Sequence, residues 1–309
     1  MTSKPDYFFL DGIPLGPDEV ALAAQYNAYA NVDASRLLLK LQGQWTYIDF
    51  DEDLIRSLAF DSAAGILYML GKSGVVYSLG GKGPGFTLAS LSGALSQKQV
   101  VDPEERGELF RIRVLGNRVL VCGLGGQLLE LRNGTWHDIG FDTPIAKSPD
   151  FEDVSLDAQG WPVAVGWAGA TYRFGPNGPE HIVCPTNAIL STIVQDGPGR
   201  HLLCGNRGVV FEMTNDSFRD LSIDDAQGNL WSIVRHADLV YACEPGRLMV
   251  CNQDQWQPEV VSQTIASPSL HRLVSTGPEL WSFGADHVFV KRATGRWEQF
   301  PVIGNELKP

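Results

Sequence analysis

Residues 67–77 read LYMLGKSGVVY, and residues 119–129 read VLVCGLGGQLL. Each stretch consists of an apolar run, a short turn that contains glycine, and a second apolar run. Short apolar runs joined by such a turn are typical of a β-hairpin, because glycine tolerates the positive φ that tight turns require. The two stretches therefore predict similar antiparallel strand pairs in different parts of the chain.

Further copies of this pattern recur along the chain, about every 40 residues. In the last two copies Cys243 and His287 each replace one glycine. These copies are 163–169 (VAVGWAG), 202–208 (LLCGNRG), 240–246 (VYACEPG) and 281–287 (WSFGADH). A period in this range indicates a repeat architecture in which each copy is one supersecondary unit.

A second feature follows each glycine turn after about ten residues, where an aromatic residue or a histidine opens another short strand. These residues are Trp45, Phe86, Trp136, His181, Phe218, Trp256 and Trp297. Before the first of them stands only a leucine-rich run, 37–41, so the N-terminal copy lacks the glycine turn. We interpret the glycines as turn residues and the aromatic residues as wedges between neighbouring units.

Each unit also holds an alternating segment before its glycine turn, such as 110–114 (FRIRV) and 230–234 (LWSIV). That makes four short strands in each unit and seven units in the chain. The sequence predicts an all-β fold: one seven-bladed β-propeller of four-stranded antiparallel blades, formed by residues 1–309 as a single domain. The propeller has six blades if the N-terminal copy is incomplete.

These repeats resemble those of bacterial seven-bladed propellers, in the broad group of WD40, BNR-repeat and photosystem-assembly-factor propellers. The resemblance extends over nearly the whole chain. The Gly-His and Trp-Asp pairs of WD40 blades and the Ser-x-Asp-x-Gly-x-x-Trp box of sialidase blades are absent from the sequence. The resemblance therefore implies a fold and no particular function, because propellers serve as lyases, lactonases, scaffolds and inhibitors alike.

The composition restricts the classes of partner. The formal net charge is −12 and the sequence pI is about 4.9, which disfavours a nucleic-acid partner and favours a basic protein. The first apolar run, 7–10, is too short for a signal peptide or a membrane span. Five cysteines, most of them in apolar strands, suggest reduced thiols. We expect a cytoplasmic protein without a membrane partner.

Motifs for catalysis are missing. The histidines have no metal-ligand spacing, and the sequence has no nucleophile elbow and no phosphate-binding loop. The acidic residues at 49–53 do not have the spacing of a calcium loop. We predict no catalytic residues, no cofactor and no metal. His271 or His236 beside a carboxylate in the central channel is the one acid–base alternative.

Acidic residues concentrate in the loops that we assign between blades, namely 51–54, 93–108, 141–153, 185–188, 224–229 and 263–269. These loops and the turn between the second and third strands of each blade lie on one face of a propeller. On this face we predict a partner-binding surface made of twelve acidic residues, a tryptophan anchor and one arginine. Its residues are Asp51, Glu52, Asp53, Asp102, Glu104, Glu105, Asp142, Asp150, Glu152, Asp153, Trp167, Arg207, Asp224 and Asp225.

An acidic face with an aromatic anchor suits capture of a basic protein, since complementary charge speeds association and a buried anchor slows release. We therefore expect a non-enzymatic, protein-binding propeller, specifically an immunity protein that neutralises a cognate basic toxin. Two alternatives remain at this stage. One is an assembly or scaffold factor for a protein complex, and the other is a hydrolase or lyase that uses the central channel.

Overall fold

The computed structural model describes residues 7–26, 31–81, 86–87, 91, 95–99, 106–141 and 148–302. Within these residues the strands form seven four-stranded antiparallel sheets, and each sheet is built from consecutive strands of the chain. We number the strands β1 to β28 in chain order, so that blade 1 contains β1–β4 and blade 7 contains β25–β28. The fold is a seven-bladed β-propeller, as the repeat predicts.

The bounds of the strands are as follows. Blades 1 to 3 contain β1 Tyr7–Gly16, β2 Glu19–Tyr26, β3 Ser35–Leu41, β4 Gln44–Phe50, β5 Ile55–Asp61, β6 Ile66–Gly71, β7 Val75–Gly80, β8 Ser96–Gln99, β9 Leu109–Leu115, β10 Arg118–Gly123, β11 Leu128–Arg132 and β12 Thr135–Asp138. Blades 4 and 5 contain β13 Phe151–Leu156, β14 Pro162–Gly166, β15 Thr171–Gly175, β16 Gly178–His181, β17 Leu190–Gln195, β18 Arg200–Gly205, β19 Val210–Thr214 and β20 Ser217–Asp220. Blades 6 and 7 contain β21 Ser232–His236, β22 Leu239–Glu244, β23 Arg247–Asn252, β24 Gln255–Glu259, β25 Arg272–Ser275, β26 Leu280–Phe283, β27 Val288–Lys291 and β28 Trp297–Gln299. Two short 3₁₀ turns, Trp167–Gly169 and Asn206–Gly208, join the second and third strands of blades 4 and 5.

The first strand of each blade lies innermost, because these strands contact one another in sequence around the ring. The ring closes where β1 contacts β25 and β26, and there Tyr7, Phe9 and Leu22 pack with Trp281 and Phe283 in one buried cluster. The core thus consists of apolar layers between neighbouring blades. Burial of apolar area in these layers is the main stabilising contribution.

The N-terminal copy forms a complete blade although it lacks the glycine turn. β3 is buried over most of its length and pairs with both β2 and β4. Its leucines replace the glycine signature, because one face of the strand packs with blade 2 and the other with blade 7. The six-blade alternative is therefore wrong.

The outer strands confirm most of the aromatic pattern. Trp45, Trp136, Phe218, Trp256 and Trp297 lie in the fourth strands of their blades, and His181 ends β16. The wedge interpretation holds, because Trp45, Trp136 and Phe218 each pack in an apolar cluster shared with a neighbouring blade, as do the last two tryptophans. The Trp256 Nε1 donates to the Leu221 carbonyl at 2.6 Å, and the Trp297 Nε1 donates to Glu259 at 3.0 Å, so each joins its blade to the preceding part of the chain.

Blade 2 departs from the prediction. Phe86 is buried against Phe60, and the fourth strand is instead β8, Ser96–Gln99. The assignment of 93–108 to a loop between blades is therefore wrong over these four residues. The sequence of β8 is SQKQ, and its first two residues, Ser96 and Gln97, are exposed.

The two glycines of each turn serve different purposes. Gly169 adopts a positive φ of 73°, as a turn glycine should. Gly166 is extended, and a Cβ on it would lie 1.8 Å from the Asp150 carbonyl oxygen. The chain approaches this closely because the Trp167 amide donates to the same oxygen at 2.9 Å. The first glycine is therefore required by packing against the segment that leads into the inner strand.

All five cysteines are free, and four of them are buried. Burial raises the pKa of Cys122 and of Cys204 well above the usual thiol value. These thiols behave as small apolar side chains of the blade core.

Candidate functional site

The inner strands begin with a repeated three-residue pattern. A buried apolar residue comes first, a residue that faces the mouth of the channel follows, and a third residue points towards a neighbouring blade. In five blades the middle residue is the extra residue of a β-bulge, as for Glu152 between Phe151 and Asp153. A bulge re-aims a side chain, which is why it recurs where the chain enters the channel.

The middle residues form a ring with one member from each blade. Its members are Leu10, Arg56, Phe110, Glu152, Ser191, Trp231 and His271, and we call them the mouth ring. They line a cavity of about 490 Å³ together with Asp11, Arg111, Ile189, Asn206, Asn229 and Arg272. The predicted partner-binding surface includes one member of this ring, Glu152, and the acid–base alternative names a second, His271; the other five members were not predicted.

The third residues of the pattern join adjacent blades, with the exception of Arg111 in blade 3, which lines the cavity. Asp11 accepts the amide of Leu58 at 2.7 Å, and Asp153 accepts the amide of Ile193 at 3.1 Å. Hydroxyl groups do the same elsewhere, for example that of Ser232 with the Leu273 amide at 3.1 Å. These bonds satisfy backbone donors that the innermost strand edge would otherwise leave unpaired.

Two ion pairs reinforce this layer of the channel. Arg272 donates to Asp11 and also to the Leu58 carbonyl at 3.1 Å, which links blade 7 to blades 1 and 2. The Arg113 Nε donates to Asp153 at 2.7 Å. Burial alone would raise the pKa of Asp153, but the charge and hydrogen bonds of Arg113 outweigh burial and hold that pKa below its usual value.

Asp53 and Asp153 do not belong to an exposed acidic surface, so their assignment to solvated loops is wrong. Asp53 is buried and accepts the hydroxyl of Tyr77 at 3.0 Å and the amide of Leu54 at 2.9 Å. Asp153 is completely buried in β13, which begins at Phe151, inside the segment assigned to a loop. Both carboxylates hold the fold together and cannot contact a partner.

Trp167 and Glu152 form a unit at the edge of the mouth. The Trp167 side chain lies in the turn between β14 and β15, and the residue is 45% exposed. Its indole Nε1 donates to Glu152 Oε1 at 2.7 Å. Burial raises the pKa of Glu152, against the lowering effects of Trp167 and Arg111. A second tryptophan of the mouth ring, Trp231, is 44% exposed.

The remaining predicted residues lie around this centre. Asp51 and Glu52 are exposed in the turn before β5, Asp224 and Asp225 are exposed before β21, and Asp150 accepts the Gly125 amide at 2.8 Å. Asp225 lies 3.4 Å from Arg247, and Arg207 donates to Asn187 at 3.2 Å. Asp102, Glu104, Glu105 and Asp142 lie outside the described residues.

Of the two candidate histidines, His271 is a member of the mouth ring. Burial lowers its pKa to about 4, an effect that Asp11 opposes and that Arg272 and Arg111 reinforce. His236 lies at the far end of β21, where its Nδ1 is 3.1 Å from the Ser275 hydroxyl. Among the described residues no three metal-ligating side chains come together.

None of the helical segments that the structure describes is long and apolar enough to cross a membrane. No protein-family model and no curated protein matches the sequence.

Solved structures with the same fold are numerous. The chain is similar to the WD40 propeller domain of Doa1 (11% identity, 93% of this chain and 92% of that one, TM-score 0.69). It is also similar to YCF48 bound to D1 peptide (14%, 93% and 94%, TM-score 0.66) and to YCF48 from Cyanidioschyzon merolae (15%, 94% and 96%, TM-score 0.66). At these identities the similarity establishes the seven-bladed β-propeller fold alone.

Proposed function

We propose that the chain is a non-enzymatic, protein-binding propeller whose partner docks on the face that surrounds the mouth ring. The observation that carries this proposal is the pair of tryptophans, Trp167 and Trp231, both nearly half exposed on one rigid face. Tryptophan is enriched among residues whose loss costs most binding energy. A tryptophan held in place by a hydrogen bond, as Trp167 is by Glu152, loses little conformational entropy on binding.

Within this class we propose an immunity protein that binds a basic toxin. Support comes from the net charge of −12 and from the exposed carboxylates of Asp51, Glu52, Asp224 and Asp225 around the two tryptophans. Such carboxylates would attract a basic surface over a distance and would leave the apolar contacts to hold it.

An assembly factor is the second candidate, because one similar structure is of YCF48 with a bound D1 peptide. The two candidates use the same face and differ in the partner. An immunity protein would form a tight one-to-one complex with the product of an adjacent toxin gene, whereas an assembly factor would be recovered with components of a larger complex.

The test compares Trp167→Ala with Trp161→Ala in binding to the partner recovered from the native cell. Trp161 is the matched control, since it is 37% exposed and lies on the opposite face in the turn before β14. We expect Trp167→Ala to raise the dissociation rate, with a loss of about 2 kcal/mol in binding free energy. Trp161→Ala should leave both rate constants unchanged. Equal effects of the two substitutions would contradict the proposal.

The exposed carboxylates of Asp51, Glu52, Asp224 and Asp225, which we call the acidic rim, are tested by the salt dependence of binding. Replacing Asp224 and Asp225 by Asn should lower the association rate constant at low ionic strength and flatten its dependence on salt. Asp238→Asn on the opposite face is the control, because Asp238 is exposed in the turn between β21 and β22. A partner that associates equally fast with both variants would show that the rim does not steer it.

A further inference from the structure

Four arginines surround the channel, and Arg111 is the one whose side chain lacks a bonded partner among the described residues. Arg272 pairs with Asp11, Arg113 pairs with Asp153, and Arg56 donates to Glu108 at 3.0 Å. The Arg111 Nε is buried without a hydrogen bond, and the nearest carboxylate oxygen, on Asp153, lies 4.0 Å away. The rest of the Arg111 side chain is 22% exposed and lines the cavity, so its guanidinium has donors to offer to an acceptor that enters there.

A second unsatisfied atom, on His271, lies beside the same cavity. Its Nε2 is buried without a hydrogen bond, and His271 lines both the mouth cavity and a small adjoining cavity, as Arg111 also does. Because the imidazole is neutral near pH 7, it can donate one N–H without adding a second positive charge. Arg111 and His271 therefore converge from blades 3 and 7 with two free nitrogen positions.

We propose that the mouth ring binds a carboxylate group, with Arg111 as its ionic partner and His271 as a hydrogen-bond donor. A guanidinium and a carboxylate are planar and match each other in two parallel hydrogen bonds. The four arginines are matched by four carboxylates, those of Glu108, Asp153, Asp11 and Glu152, so the site suits a singly charged carboxylate better than a doubly charged phosphate.

The rest of the cavity suits an apolar group attached to that carboxylate. Leu10, Phe110 and Trp231 lie on its wall, and its volume of about 490 Å³ far exceeds the volume of a carboxylate. Glu152 lies on the same wall, but its Oε1 is occupied by the Trp167 indole. The ligand is either a small apolar carboxylic acid or the carboxyl terminus of a peptide. The subsite does not depend on the proposed function, because it needs no protein partner.

Two pairs of probes test the subsite in the full chain. One pair is 3-phenylpropionate and 3-phenylpropionamide, and the other is the tetrapeptide acetyl-Gly-Ala-Ala-Phe with a free and with an amidated carboxyl terminus. We expect saturable binding of the free acids, at least about tenfold tighter than binding of the amides, measured by calorimetry. Nuclear magnetic resonance should show the Arg111 Nε–H and Trp231 Nε1–H resonances shifting with the acids. The free acid that binds more tightly, 3-phenylpropionate or the tetrapeptide, identifies the source of the carboxylate.

Substitutions localise the effect. Arg111→Met should weaken binding of the acids by about tenfold or more and leave binding of the amides unchanged. Arg296→Met is the control, since Arg296 is exposed on the opposite face, and it should have no effect. Equal affinity for acids and amides in the wild-type protein would overturn the proposal whether or not Arg111→Met folds. Tighter binding of inorganic phosphate than of the acids would overturn the assignment to a carboxylate.

Discussion

At the scale of single residues, the acidic side chains on the face that surrounds the mouth ring, which we call the mouth face, fall into two groups. Asp11, Asp53 and Asp153 are buried and bonded within the chain, whereas Asp51, Glu52, Asp224 and Asp225 are exposed. The first group stabilises the ring of blades, and only the second is accessible to a partner. A count of charges in the sequence cannot distinguish the two groups. The partners of the buried group, such as Arg113 and Tyr77, are distant along the chain.

Asp153→Asn separates the two roles. The substitution removes the buried counter-charge of Arg113, whose side chain is 21% exposed, so we expect the free energy of unfolding to fall by about 3 kcal/mol. Asp224→Asn, at an exposed position without such a partner, should change it by about 0.5 kcal/mol or less. Urea denaturation of the two variants measures both values, and similar losses would contradict the division.

The lowered pKa of His271 predicts that the free energy of unfolding depends on pH. Its pKa of about 4 in the folded state lies below the ordinary histidine value, because it is buried near Arg272 and Arg111 with only Asp11 opposing them. Between about pH 6.5 and 4 the unfolded chain therefore takes up a proton at this residue that the folded chain does not. The contribution of His271 to stability is complete above this window and is lost as the pH falls through it.

The measurement is urea denaturation of the wild-type protein and of His271→Gln at pH 7, 6 and 5. The wild-type protein should lose stability relative to the variant as the pH falls, by at most about 1.4 kcal/mol per pH unit. A difference between the two proteins that stays constant with pH would show that His271 titrates normally in the fold.

At the scale of elements, the entrance to each inner strand decides both the fold and the site. The amide after the first turn glycine binds the carbonyl of the residue that precedes the inner strand, as for Trp167 and Asp150 at 2.9 Å. This contact fixes the bulge, and the bulge turns Glu152 towards the mouth. The glycine turn that reveals the repeat in the sequence is therefore also the element that shapes the site.

Gly166→Ala tests this coupling. A Cβ at position 166 would lie 1.8 Å from a backbone oxygen, so the segment before β13 must move, and we expect a loss of stability of about 2 kcal/mol or more. Gly228→Ala is the control, because the nearest atom to its Cβ is 3.4 Å away. Thermal denaturation compares the stability of the two variants. The hydrogen bond between Trp167 and Glu152 should be lost in Gly166→Ala and kept in Gly228→Ala.

Part of the site cannot be predicted from the sequence, because its residues do not repeat in type from blade to blade. Glycine turns repeat in residue type, so seven blades can be recognised. The mouth ring repeats only in position: Leu10, Arg56, Ser191 and Trp231 share no chemistry. An alignment of the blades on the buried residue before each ring member would have located the ring. Strand β8 was not predicted, because its sequence is polar and it is separated from β7 by a long stretch of sequence.

At the scale of the whole molecule, closure of the ring places residues from all seven blades around one cavity. Arg272 from blade 7 binds Asp11 from blade 1 and the Leu58 carbonyl from blade 2, so the site depends on closure. Around the cavity lie the two exposed tryptophans, and around these lie exposed carboxylates. This concentric order, with arginines at the centre and an acidic rim, underlies the proposal that the mouth face is the binding face.

Hydrogen–deuterium exchange of the chain, alone and in complex with the partner recovered from the native cell, tests that central claim most directly. We predict slower exchange in the complex at 51–54, 167–170 and 224–231, which lie on the mouth face. The turns of the opposite face, such as 157–161 and 252–255, should exchange at unchanged rates. Protection of the opposite turns, with the mouth face unchanged, would contradict the account.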